Sequence, residues 1–245
     1  MQIIKNILGA IWAVWGILLF VITMLIFFPF FCLCFFWKEP NRSHISHIIY
    51  RIWMIIYLAL IGVFIKRSGS RYFAKGKNYI VVCNHNSLMD IPVSTPFMPG
   101  ANKTIAKIEM AKMPVFGVLY KLGSILVDRK DKDSRRNSFV QMKEVLDIGL
   151  HMCIYPEGTR NKTREPLKEF HDGAFKLAVD TQKKIMIGIL HGTKYILPNN
   201  KSFYLAPGIV HFNFLLPIEP GNDAEALKKK VFEIMWAEVS NKNNA

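Results

Sequence analysis

Tyr79-Ile-Val-Val-Cys-Asn-His-Asn-Ser-Leu-Met-Asp90 decides the fold. Its first five residues form a short apolar run that reads as a strand buried on both faces. A polar turn follows. A helix is expected to open at or near Asp90, where an aspartate can cap, and Pro92 suits a first turn. The same strand signature returns at 124–127, 152–155, 185–190 and 208–216. Helical periodicity fills the intervals at 134–149, 172–182 and 223–240. Strands alternating with helices predict an α/β fold, a mostly parallel central sheet with helices on both faces.

Upstream the pattern changes. No residue of 7–37 is charged, and Thr23 carries the only hydroxyl. At about 1.5 Å per residue this run is roughly 46 Å long, more than a hydrocarbon core requires. Pro29 is expected to kink or end the first helix, which leaves 7–28 as the spanning-length segment. A loop, Lys38-Glu-Pro-Asn-Arg-Ser, leads to a second apolar run at 52–65. That run is short for a span and suits an interfacial or re-entrant helix. Together they predict a hydrophobic two-helix membrane hairpin over 1–67, entering one leaflet, ahead of a domain at 68–245. A cleaved signal peptide fits poorly: the run is too long, and no small-residue cleavage site closes it.

The whole chain has 245 residues, is 51% hydrophobic and carries a net charge of +14. Only Lys5, Lys38, Arg42 and Arg51, set against Glu39, fall in the first 65 residues, so most of the positive charge lies beyond the hairpin. Lys66, Arg67, Arg71, Lys75 and Lys77 directly follow the second run. Such a cluster favours the cytoplasmic side and anionic headgroups. There is no helix-turn-helix, zinc-finger or RNP pattern, so no nucleic-acid partner is expected. Four cysteines are too few for a disulfide scaffold.

Ligands of open α/β sheets bind at the carboxyl ends of the strands, and three polar loops fall there. After 79–83 comes His85, five residues before Asp90. On one helix that offset is about 140°, so the two side chains meet only if His85 lies in the turn and Asp90 reaches back. After 152–155 comes Pro156-Glu-Gly-Thr-Arg160, where Gly158 permits a sharp turn and Arg160 can clamp a phosphate. After 124–127 comes Asp128-Arg-Lys-Asp131, which brings Arg129 to the same end of the sheet. Lys107, after Thr104-Ile-Ala106, is a further cation. Cys83 belongs to the apolar strand and reads as core rather than catalytic.

In order and spacing over roughly 77–193, these blocks resemble the glycerophospholipid acyltransferases, the 1-acyl-glycerol-3-phosphate acyltransferase family. Asn84-His85-x4-Asp90 resembles its first block, the HX4D motif. Gly123-Ser-Ile-Leu-Val-Asp-Arg129 resembles the second, and Tyr155-Pro-Glu-Gly-Thr-Arg160 the third, with Tyr155 in place of the usual Phe. Lys107-Ile-Glu109 is similar to the family's Lys-x-Glu step, and 170–178 to the helix after the third block. The fourth block departs: a proline is usual where this chain has Ile187-Gly188-Ile189.

The resemblance implies transfer of a fatty acyl group from acyl-CoA or acyl-carrier protein to the sn-2 hydroxyl of lysophosphatidic acid, giving phosphatidic acid. His85 would be the general base and Asp90 its orienting partner. Lys107, Arg129, Glu157, Gly158, Thr159 and Arg160 would bind substrate, with no metal and no cofactor beyond the thioester co-substrate. Glu157 would either position Arg160 or contact the acceptor. The setting implied is a membrane, with the domain on the cytoplasmic face, in a bacterial inner membrane by resemblance. Three alternatives stay open at this level: acylation of another lysolipid such as a lyso-amino-acid lipid, a thioester hydrolase, and a non-catalytic membrane scaffold.

Overall fold

The structure, a computed structural model, describes residues 2–201 and 203–243. Two long helices, α1 (Gln2–Leu33) and α2 (Asn41–Leu60), lead into β1 (Val63–Ser68) and β2 (Ile80–Cys83). Then come α3 (Asp90–Phe97), β3 (Asn102–Lys107), α4 (Phe116–Gly123), β4 (Ser124–Val127), α5 (Lys132–Asp147) and β5 (His151–Ile154). The chain closes with α6 (Gly173–Thr181), β6 (Ile185–His191), α7 (Thr193–Ile196), β7 (Gly208–Phe214) and α8 (Ala224–Asn243).

The seven strands form one sheet in the order β1-β7-β6-β2-β5-β3-β4. Neighbours pair in parallel except β6 with β7, so β1 and β7 run against the other five. The fold is therefore α/β with a mostly parallel sheet flanked by helices. Strand β2 lies between β5 and β6 and is buried at all four positions. Its side chains alternate faces. Val81 and Cys83 join a core shared with α1–α4, while Ile80 and Val82 join the core under α5, α6 and α8. The carboxyl ends of β2 through β6 thus share one edge, and the loops carrying His85, Lys107, Arg129 and Glu157–Arg160 all leave from it.

Two strands escape the apolar-run signal. β3 is Asn-Lys-Thr-Ile-Ala-Lys. Its buried Asn102 donates from its amide nitrogen to Thr95 O at 2.8 Å, which anchors a polar side chain on the inward face, although its Oδ1 has no partner among the described residues. β1 takes the last residues of the apolar run at 52–65 together with Lys66 and Arg67. It is an edge strand, where exposed basic side chains are tolerated and discourage further pairing. β1 also straddles position 67/68.

The hairpin differs from expectation in two ways. Pro29 lies inside α1, which continues to Leu33. The turns beyond it are held from outside: Phe31 is fully buried, with its ring 4.5 Å from Tyr50 and 5.8 Å from Trp53. Second, α2 begins at Asn41, so the second helix has 20 residues. The sequence reading places Asn41, Arg42 and Ser43 in a loop and assigns 44–51 to neither loop nor run, yet all belong to this helix, with Ser43, Ser46 and His47 buried. Arg51 donates to the carbonyls of Pro96 (2.8 Å) and Met98 (2.7 Å) at the end of α3. Both helices are long and apolar enough to cross a membrane by length and composition. The outer face of α1 (Ile7, Ile11, Leu18, Leu25 and others) is exposed, while Phe20 stacks 5.7 Å from Phe116 of α4.

At the opposite edge of the sheet, His151 opens β5 and accepts the Tyr79 N–H on Nδ1 at 3.0 Å. Burial pulls its pKa down to about 4. The neutral ring is the folded form, so this contribution is complete above pH ~6.5 and lost as pH falls towards 4. Denaturation midpoints of wild type and His151→Gln between pH 7 and pH 4 should show it: the variant is expected to be less stable at pH 7 and to lose less on acidification.

Candidate active site

β2 ends where Asn84, fully buried, spans to β6. Its Nδ2 donates to Leu190 O at 2.9 Å, and its Oδ1 accepts from Leu190 N at 2.8 Å. This clamp fixes the chain direction just before His85. Asp90, also fully buried, is the first residue of α3 and points back into the turn. His85 Nδ1 lies 2.9 Å from Asp90 Oδ2. The same oxygen accepts the N–H groups of Asn86 (2.6 Å) and Ser87 (2.7 Å). Three donors on one carboxylate oxygen hold the turn closed and leave Nε2 of the ring directed away from the aspartate.

His85 borders a cleft of about 490 Å³. Lys107, Arg129, Gly158, Thr159 and Arg160 line that cleft with it. Arg129 NH1 donates to Gly158 O at 2.6 Å, and Arg160 NH1 to Asn199 Oδ1 at 3.2 Å. Gly158 has φ +68°, and a Cβ there would fall 2.7 Å from the His171 ring, so glycine serves both the turn and the close approach. Thr159 Oγ1 accepts from Lys168 Nζ at 2.7 Å. Leu88, Ile91, Thr104 and Tyr120 line this cleft and also a second, apolar chamber of about 430 Å³. Phe20, Trp53 and Tyr57 of the hairpin wall that chamber.

The family model for acyltransferases matches residues 64–198, which contain every one of these loops. This chain belongs to the acyltransferase family. Among its relatives, the 1-acyl-sn-glycerol-3-phosphate acyltransferase of Helicobacter pylori is 37% identical over 135 residues, 55% of this chain and 56% of that one. The enzyme of that name from Cocos nucifera is 33% identical over 142 residues, 57% of this chain and 46% of that one. The chain thus matches about half the length of these curated relatives. The crystal structure of the 1-acyl-sn-glycerophosphate acyltransferase PlsC from Thermotoga maritima superposes with a TM-score of 0.82 at 23% identity. That match covers 100% of this chain and 99% of PlsC, so the two share a fold that includes the hairpin.

In this acyltransferase Glu157 stands apart from the other residues expected to bind substrate. It is 1% exposed and does not line the cleft. Oε1 accepts the His85 N–H at 2.7 Å, and Oε2 accepts the Lys168 N–H at 3.0 Å. Neither of the two roles considered from sequence, positioning Arg160 or contacting the acceptor, matches these bonds. Glu157 instead ties the β5 loop to the β2 loop, and Asn161 N donating to His85 O at 2.6 Å makes a second tie. Burial raises the Glu157 pKa against the pull of these hydrogen bonds.

Tyr155, the family's usual Phe, sets its ring 4.4 Å from that of His85 and shares a 2.6 Å hydrogen bond with Ser94 Oγ. Burial pushes its hydroxyl well above the usual tyrosine range, so it is protonated at neutral pH. Cys83 is held as a thiol by its hydrogen bond with Cys153 and by burial, and so is no nucleophile. Gly188 stands where the family has proline. A Cβ there would fall 2.9 Å from Cys83 Sγ and 3.0 Å from the Phe212 ring, so close packing accounts for the glycine. Arg135 of α5 and His171 also line the cleft and were not singled out from sequence. Arg135 lies within a charged run that marks no member as special. His171 was covered only as part of the 170–178 block.

Proposed function

We propose that this chain is a membrane-bound 1-acylglycerol-3-phosphate O-acyltransferase that makes phosphatidic acid from lysophosphatidic acid and an acyl thioester, acyl-CoA or acyl-carrier protein. The observation that carries the reading is the cleft itself. One wall has an imidazole backed by a buried carboxylate, another has Lys107, Arg129 and Arg160, and the adjoining chamber is apolar and walled by membrane-length helices.

Arg129 and Arg160 grip the acceptor's phosphate, and the guanidinium fork suits that geometry. The acyl chain extends into the apolar chamber. Fixing both ends brings the free sn-2 hydroxyl against His85 and removes the entropy of finding it. His85 Nε2 takes the hydroxyl proton as the oxygen attacks the thioester carbonyl. Asp90 keeps the proton on Nδ1 and stabilises the imidazolium. As the tetrahedral intermediate collapses, the C–S bond breaks and the imidazolium returns its proton to the departing sulfur. The oxygen–acyl bond has formed, and no enzyme nucleophile is consumed. Glu157 and Asn84 position the histidine and do not touch substrate.

The hairpin (1–67) serves as the anchor and 68–245 as the acyltransferase domain, facing the cytoplasm in this reading. Entry into a single leaflet is supported by α2, whose inner face is taken up by α3 and the sheet.

Acceptor choice tests the proposal. In lipid vesicles, Arg129→Ala should raise KM for lysophosphatidate by roughly tenfold or more, the cost of a lost charged hydrogen-bond partner. An enzyme that merely hydrolyses thioesters would be indifferent to the change. So would one built for a lysolipid without a phosphate monoester, and an unchanged KM would contradict the assignment.

A further inference from the structure

Tyr155 stands where phenylalanine is usual in the family. The hydroxyl that distinguishes it shares a 2.6 Å hydrogen bond with Ser94 Oγ. Ser94 is fully buried, so a phenylalanine at 155 would take this partner from a hydroxyl that water cannot reach, at the cost of an unmet buried polar group. Tyrosine and serine are thus a matched pair. Their bond also sets the phenol ring against His85: the two ring centroids lie 4.4 Å apart, with 30° between the planes.

Helix α3 therefore holds the imidazole twice. Asp90 and Ser94 are four residues apart on that helix, a spacing that puts both on one face. Asp90 Oδ2 takes the ring at its edge, 2.9 Å from Nδ1. A ring held at one atom can still rock about that bond, and rocking swings Nε2 away from a hydroxyl fixed elsewhere. Tyr155 packs on the flat side of the ring and blocks this motion. The strand register that sets Val82 beside Ile154 brings it there. The contact has an electrostatic side as well. An aromatic face carries partial negative charge and stabilises a cation within about 6 Å of its centroid. Positive charge develops on His85 as it takes the proton, so the contact strengthens towards the transition state and its effect belongs in kcat.

We propose that Tyr155 is a positioning residue for the general base: clamped by Ser94, its ring fixes the plane of the His85 imidazole and stabilises the imidazolium formed when the acceptor's proton is taken. The inference rests on the acyltransferase reading above. Tyr155 itself exchanges no proton with substrate, because burial holds its phenol in the protonated form.

The test uses the full chain in lipid nanodiscs, with melting temperatures compared first. Tyr155→Leu removes the ring and should lower kcat by about tenfold. KM for lysophosphatidate and for acyl-CoA should both stay within about twofold of wild type. Tyr155→Phe keeps the ring and should recover most of the rate, leaving a deficit of about threefold from the lost anchor. Ser94→Ala should match Tyr155→Phe. The double variant Ser94→Ala/Tyr155→Phe should lose no more than either alone, because all three remove the same bond. Isotope-labelled histidine gives a readout independent of turnover, with the His85 signals assigned by their loss in His85→Ala. The Tyr155 ring current should displace them upfield in wild type and in Tyr155→Phe, and the displacement should vanish in Tyr155→Leu.

Wild-type kcat in Tyr155→Leu overturns the proposal. So does a loss carried by KM, which would make Tyr155 a substrate contact, or a Tyr155→Phe variant as slow as Tyr155→Leu, which would give the hydroxyl a chemical role. Equal His85 spectra in wild type and Tyr155→Leu, or additive losses in the double variant, overturn it too. Should Tyr155→Leu fail to fold, wild-type kcat in both Tyr155→Phe and Ser94→Ala would overturn it. Failure of the acyltransferase reading looks different: wild type would then form no phosphatidate, and the positioning role would fall with it even if the histidine spectra showed the two rings in contact.

Discussion

Asp90→Asn should leave a folded protein whose kcat falls by about 10³–10⁴, the scale seen when the orienting acid of a comparable catalytic pair becomes an amide. The reason lies in what Asp90 Oδ2 holds. It accepts from His85 Nδ1 and from the N–H groups of Asn86 and Ser87 at the same time. An asparagine oxygen can still accept the backbone bonds and keep the turn. It lacks the charge that stabilises an imidazolium, and if the amide nitrogen faces the ring it selects the wrong tautomer. KM for both substrates should change little, because Asp90 is fully buried and does not line the cleft. Steady-state kinetics with a melting curve on the same sample separate this outcome from simple unfolding. A variant with wild-type kcat would remove Asp90 from the mechanism.

Deleting the hairpin through residue 62 should abolish the folded state and yield no soluble, membrane-free domain. An anchor hinged to an independent domain would come away cleanly, but this hairpin does not meet that description. Phe31, Trp53, Met54, Leu58 and Ile61 are buried in one cluster with Val81, Cys83 and Phe212 of the sheet. Each such side chain contributes about 1.5–3 kcal/mol by burial. Their joint loss, roughly 7.5–15 kcal/mol for the five, matches the whole ~5–15 kcal/mol that typically separates folded from unfolded chains. Arg51 would go too, leaving the Pro96 and Met98 carbonyls at the end of α3 without their donor. Proteolysis and circular dichroism of the truncated chain, purified without detergent, provide the measurement. A soluble, cooperatively melting product would show that the hairpin is separable.

Five strands of the sheet could be read from the sequence: β2, β5 and β6 because burial on both faces demands apolar residues, β4 and β7 because their inward positions are apolar. β2 and β4 match the reading within a residue, and β5, β6 and β7 within about two. β3 could not be read that way, since the polar Asn102 and Thr104 are buried in it, Asn102 held by a hydrogen bond to Thr95 O. β1 was hidden because it continues an apolar helix with no break in composition. Pro29 was over-weighted: the proline rule describes an isolated helix, and here Phe31 packing on Tyr50 and Trp53 outweighs it.

At the site, His85, Lys107, Arg129 and Gly158 to Arg160 were legible because each ends or follows a strand at the same edge, whereas Arg135 and His171, which also line the cleft, carried no such local signal. Of the residues that position them, Asp90 was legible, and the roles of Glu157 and Asn84 were not. Glu157 reaches His85 N only because β2 and β5 pair in the register that sets Val82 beside Ile154. Nothing local to Pro156-Glu-Gly encodes that register. Asn84 reads as half of a motif until β6 is seen beside it. The meeting of His85 and Asp90 was foreseeable in kind, since a turn followed by a helix start is the one local geometry that closes a five-residue gap.

The most direct measurement follows labelled acyl groups in vesicles containing lysophosphatidate and acyl-CoA, with wild type and His85→Ala compared at matched melting temperature. Wild type should form phosphatidate, and the variant should fall by about 10²–10⁴, the contribution expected of a general base. Equal rates from the two proteins would contradict the account, because the account assigns removal of the hydroxyl proton to His85 and its partner Asp90.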